Sequence, residues 1–75
     1  MQPYRDLTGT SGVKAFELSP RSIVVEFQDG ARYEYTEEIT GIAKVRAMRQ
    51  LALAGQGLST YISQQVRERY AHKIR

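Results

Sequence analysis

The chain has 75 residues, no cysteine and one histidine, His72, with 41% hydrophobic and 25% charged residues. These proportions describe a single small folded domain and exclude wholesale disorder, a disulfide framework, a thiolate metal site and a cysteine nucleophile. The net charge is +3, no apolar run approaches the roughly 18 residues of a membrane span, and no signal peptide opens the chain, so it reads as a cytoplasmic protein with no membrane partner.

The net charge conceals an asymmetry. Residues 1–39 carry Arg5, Lys14, Arg21 and Arg32 against seven acidic residues, a net of −3. Residues 40–75 carry Lys44, Arg46, Arg49, Arg67, Arg69, Lys73 and Arg75 against Glu68 alone, a net of +6. A basic half of this kind attracts nucleic-acid phosphates or an acidic partner, and it also neutralises the acidic half of its own chain.

In chain order, residues 1–10 contain Pro3 and Gly9 and show no periodicity, which predicts a flexible N-terminal arm ahead of one domain spanning 11–75. From Val13 to Thr36 the apolar residues alternate: Phe16 and Leu18, then Ile23, Val25 and Phe27, then Ala31, Tyr33 and Tyr35. That period of two predicts a three-stranded antiparallel meander with one apolar face. A tight turn at Pro20-Arg21 pairs Leu18 with Ile23 and Phe16 with Val25. For the second hairpin, a two-residue Asp29-Gly30 loop scrambles the faces. A three-residue loop, Gln28-Asp29-Gly30, pairs Val25 with Tyr33, Ile23 with Tyr35 and Glu26 with Arg32, with Gly30 in the left-handed position.

After Thr36 the period lengthens. Ile42, Val45, Met48 and Ala52, with Leu51 at the stripe's edge, predict an amphipathic helix capped by Thr40 and closed by Gly55. Leu58, Ile62, Val66, Tyr70 and Ile74 recur every four residues and predict a second helix with Ser59 as its cap. The expected fold is α+β, in the order β-β-β-α-α, with both helices on the apolar sheet face.

Ser11 and Val13, the run Ile23-x-Val25-x-Phe27, Gly30, Tyr33-Glu34-Tyr35 and Val66-Arg67-x-x-Tyr70 together resemble the KTSC domain. This small bacterial domain is named for a segment at the C-terminus of some lysyl-tRNA synthetases and also occurs as a stand-alone protein. The resemblance spans residues 11–70. It departs from the family at Leu18, where an aromatic residue is usual, and at Thr40, where proline is common. It implies the fold above, a structural role for Gly30, Tyr33, Tyr35 and Tyr70, a place for Arg67 in the family pattern, and an association with RNA, tRNA in the first place.

The residues narrow the functions. Tyr33 and Tyr35 fit either a stacking platform for unpaired bases or a core position with the hydroxyl reaching outward, and the register favours the core. The serines have no histidine nearby and the glycine-rich stretches lack a phosphate-loop lysine, so no catalytic, metal or cofactor site is expected. The leading expectation is a non-enzymatic RNA-binding module that contacts phosphates through Arg46, Arg49, Arg67 and Lys73, with Arg67 central. The rival is a protein–protein or self-association module such as a homodimer, using the open sheet face at Ala15 and Val24 and the edge of the first strand.

Overall fold

The computed structural model describes residues 1–9 and 11–75. Its elements are β1 (Gln2–Pro3), β2 (Val13–Ser19), β3 (Ser22–Phe27), β4 (Arg32–Thr36), α1 (Glu37–Thr40), α2 (Ile42–Ala54), α3 (Leu58–Tyr61) running on into a π-helical turn (Ile62–Val66), and β5 (His72–Lys73). The fold is mixed α+β. The three-stranded meander is one part of a larger sheet, however. All five strands join in the order β1-β2-β3-β4-β5, each antiparallel to its neighbour.

The central hairpins have the register that alternation requires. Leu18 faces Ile23 and Phe16 faces Val25, while Ile23 faces Tyr35, Val25 faces Tyr33 and Glu26 faces Arg32. In the second turn Phe27 N–H donates to Ala31 O at 2.8 Å, Ala31 N–H donates to the Asp29 carboxylate at 2.9 Å, and Gly30 has φ +91°. A side chain at residue 30 would hold the backbone in a region only glycine enters freely. Toward the start of β2 the pairing slips by one residue: Ala15 faces Glu26 but Val13 faces Phe27. Lys14 is the extra residue of a bulge, and the slip turns Val13 onto the apolar side, where it is fully buried.

That apolar side is covered by the helices. Ile23, Val25 and Tyr35 from the sheet meet Val45, Met48 and Ala52 from α2 and Leu58, Ile62 and Val66 from the last helix. Ile42, expected in the α2 stripe, stays 53% exposed. The cap assignments also shift by a few residues. Thr36 caps α1, its Oγ1 accepting from Ile39 N–H at 3.2 Å, and Glu37 and Glu38 fill the favourable first turn. Thr40 ends that short helix and donates its hydroxyl to the Arg69 carbonyl. Gly41 and Gly57, not Thr40 and Ser59, stand at the starts of α2 and α3. Gly55 closes α2 as expected, in the left-handed conformation.

Both ends of the chain differ from expectation. Residues 1–9 are not a loose arm. Gln2 pairs with Phe16 and Pro3 with Ala15, Tyr4 N–H donates to Lys14 O at 3.0 Å, and Leu7 N–H donates to Gly55 O at 2.7 Å. Tyr4 is 6% exposed in the core, and its hydroxyl accepts from Leu58 N–H at 3.3 Å, supplying the cap that Gly57 lacks. The chain crosses Gly55 so closely that a Cβ there would lie 2.8 Å from Arg5 Cβ. Thr10, the last residue of the expected arm, lies outside the described residues.

At the other end the helical series stops at Val66. Tyr70 packs on the sheet aromatics, Ile74 is 54% exposed, and residues 71–75 run along β4. Ala71 N–H donates to Glu34 O, Ile74 N–H to Arg32 O and Arg32 N–H to Arg75 O at 2.7–3.1 Å. These bonds satisfy the outer edge of β4, which a longer helix would leave bare. The four-residue spacing of Tyr70 and Ile74 therefore loses to strand pairing.

Tyr4 links the N-terminal strand to the helix layer, and its two contributions separate by substitution. Tyr4→Phe leaves the Leu58 N–H without its partner and is expected to cost about 1–2 kcal/mol. Tyr4→Ala also opens a cavity and is expected to cost about 3 kcal/mol or more. Urea unfolding followed by circular dichroism measures both.

Candidate functional site

The basic residues of the second half fall into groups with different work. Arg49 is half-buried and donates to the carbonyls of Ser19 and Ser22, stapling α2 to the β2–β3 turn. Lys73 lies on the edge strand with its ammonium 5.8 Å from the Tyr33 ring centroid, a cation–π arrangement. Arg46 is exposed on α2, two residues beyond Lys44 and so on a different side of the helix. Arg49 and Lys73 thus already have partners within the fold.

Three basic residues do come together. A cleft of about 380 Å³ is lined by Lys44 of α2, by Gln64, Gln65 and Val66 of the π-helical turn, and by Arg67, Glu68 and Arg69 after it. Of the residues expected to contact phosphate, only Arg67 lines it. Lys44 and Arg69 join because the last helix ends beside the start of α2, a juxtaposition that helical phase within either segment does not reveal. Three cations oppose one carboxylate here.

Arg67 has an unusual backbone. The π-helical turn ends with Arg67 N–H donating to Ile62 O at 2.6 Å, five residues back, and Arg69 N–H closes a tight turn onto Val66 O at 2.8 Å. At the first corner of that turn Arg67 has φ 42° and ψ −110°, values close to a type II′ corner that glycine normally occupies. Its Nε donates to Ser63 O at 3.1 Å, which orients the guanidinium. Arg67 forms no ion pair with Glu37 or Glu38; among the described residues the one ion pair joins Arg32 Nε to Glu26 at 2.9 Å. That hydrogen bond holds the Glu26 carboxyl below its usual pKa.

The tyrosines occupy the core side. Tyr35 is 2% exposed, and Tyr33 is half-buried with Tyr70 at 4.7 Å, Phe27 at 5.7 Å and the Lys73 ammonium around its ring. Tyr70 also meets Tyr35 edge-on at 6.4 Å. The ring neighbours that a base would need to displace are part of the fold. Tyr33 and Tyr35 stand in the strand register that the alternation predicts; Tyr70 reaches the same cluster from the C-terminal segment and not from a helix.

Other hollows lie elsewhere among the described residues. One, about 590 Å³, is lined by Arg21, Ser22, Thr36, Glu37, Glu38 and Ile42, and another, about 220 Å³, by Thr8, Ser11, Gly57, Ser59 and Thr60. Among the described residues no three His, Asp or Glu side chains gather as metal ligands, and no helix is long and apolar enough to cross a membrane.

Burial, with smaller contributions from Tyr33 and Tyr70, pushes the Tyr35 hydroxyl up from 10 to about 12. The neutral form is the one the fold prefers, so this contribution is intact below pH 10 and is lost as the pH climbs from 10 toward 12. Urea midpoints measured across that range are expected to fall, and Tyr35→Phe is expected to remove the Tyr35 share of the fall. With this geometry in place, comparison with known proteins finds no family model, no curated protein and no solved structure that matches the chain.

Proposed function

We propose that this protein is a small non-enzymatic binding module of the KTSC type whose ligand is RNA, held through its phosphates. The observation that carries the reading is the meeting of Lys44, Arg67 and Arg69 in one cleft with the side-chain amides of Gln64 and Gln65 beside them. Phosphate contacts come mainly from arginine, lysine and amide donors of this kind. The aromatic rings are engaged with one another, which favours recognition of the backbone over stacking of unpaired bases. Labelled tRNA, single-stranded RNA and duplex DNA, titrated by fluorescence anisotropy at two salt concentrations, test this. RNA binding that weakens as salt rises, with Arg67→Glu losing about 0.7–0.9 of the log–log salt slope, is the expected result. Salt-independent or absent RNA binding refutes it.

A second reading, self-association, is favoured by a different feature. Ile39 and Ile42 are 54% and 53% exposed three residues apart, Ile42 on the wall of the 590 Å³ hollow, and exposed apolar surface is a common contact site. The edge of β2 is a weaker candidate than the sequence implied, since β1 covers it at Ala15 and Phe16. Ala15, expected on an open face, is 8% exposed. Under this reading, sedimentation equilibrium shows a dimer that Ile39→Ser/Ile42→Ser abolishes; a strict monomer at high concentration rejects it.

A further inference from the structure

The Arg67 backbone and the cleft around it are one device. An arginine at the corner of a II′-like turn is held in a sparsely populated conformation that glycine would adopt freely, and strain of this kind gathers at ligand-binding positions. It lies directly after a π-helical turn, an insertion into helical geometry that is also frequent at functional sites. The fold needs a reversal at this point, because the chain must leave the last helix and return along β4. It does not need an arginine there. The side chain, by contrast, is placed for use: Nε is anchored on Ser63 O, and among the described residues the two terminal nitrogens have no protein partner. Lys44 and Arg69 line the same cleft, with Glu68 as the single opposing charge. The cleft is open to solvent and about 380 Å³ in volume.

From this we infer that the cleft is a built polyphosphate site, in which the strained Arg67 presents its free guanidinium nitrogens to phosphate oxygens and Lys44 and Arg69 neutralise the neighbouring groups. This deepens the RNA reading, on which it rests only for the molecule that carries the phosphates; a nucleic-acid backbone and a free polyphosphate offer the same chemistry. Arginine suits the role because its planar fork bonds two oxygens of one phosphate.

The test joins binding to stability. Inorganic tripolyphosphate is titrated into the ¹⁵N-labelled protein and amide shifts are followed. Expected are saturable shifts centred on Lys44 and Gln64 to Arg69. Arg67→Gly is expected to bind at least about tenfold more weakly while melting about 4 °C higher, because glycine relieves the turn. Arg67→Ala keeps the strained Cβ and is expected to lose affinity without that gain, and Lys44→Ala/Arg69→Ala to lose affinity with the turn untouched. Shifts centred elsewhere, or binding unchanged in the three variants, overturn the site. Labelled RNA is titrated against the same variants. RNA binding that survives loss of the cleft, with no tripolyphosphate binding there, places RNA on another surface, overturning the inference and sparing the RNA reading. Tripolyphosphate binding at the cleft without RNA binding at any salt upholds the site, identifies its ligand as a free polyphosphate and refutes that reading.

Discussion

The apolar face of the β3–β4 hairpin sets the terms for the whole molecule. Ile23 and Val25 share a face by strand alternation, and Tyr35 joins them because the Gln28-Asp29-Gly30 turn holds the register; a slip of one residue would turn the apolar residues of β4 to water. A chain of this size has little to cover that face: one thirteen-residue helix, α2, and a shorter last helix. The remainder comes from the chain ends. Tyr4 enters from one side and Tyr70 from the other, and each arrives on a segment whose backbone extends the sheet. A hairpin alone is marginal in water, whereas five short strands under a helical layer satisfy both the apolar surface and the strand edges.

The same economy divides the charges. Arg49 and Lys73 are drawn into the fold, the first by two carbonyls at a sheet turn and the second by the ring of Tyr33. Arg32 is taken by Glu26 in a half-buried pair on the face of the sheet away from the helices. Arg67 and Arg69 lie on the tight reversal between the last helix and β5, and Lys44 meets them there from α2. The reversal exists because β4 needs a partner strand, so the requirement that closes the sheet is also what gathers the basic cleft.

Under the proposed function, the turn at Arg67 sets fold and ligand on opposing terms. Chain reversal favours glycine at that corner, and the guanidinium is a property glycine lacks. Ser63 partly offsets the strain by holding Nε. In that reading stability and binding are opposed at a single residue, a trade common where proteins contact ligands.

Much of the centre of this protein follows from the order of its residues alone. The alternation from Phe16 to Tyr35 determined three strands, their pairing and the turn at Gly30, and the spacing of Val45, Met48 and Ala52 determined the face that α2 buries. These are local regularities, set by backbone geometry with periods of two and 3.6 residues. The ends and the cleft were decided by the tertiary structure. Tyr4 lies in a stretch with no period, and its burial depends on a gap between the sheet and Leu58 that exists only after both have formed. Tyr70 and Ile74 keep a helical spacing, yet the unpaired edge of β4 outweighs it, since open backbone groups across a strand cost more than a few weak helix preferences. Lys44 meets Arg67 and Arg69 across more than twenty residues of chain. Spacing within one helix describes which side chains share its face, and it carries no information about what a second helix will bring alongside.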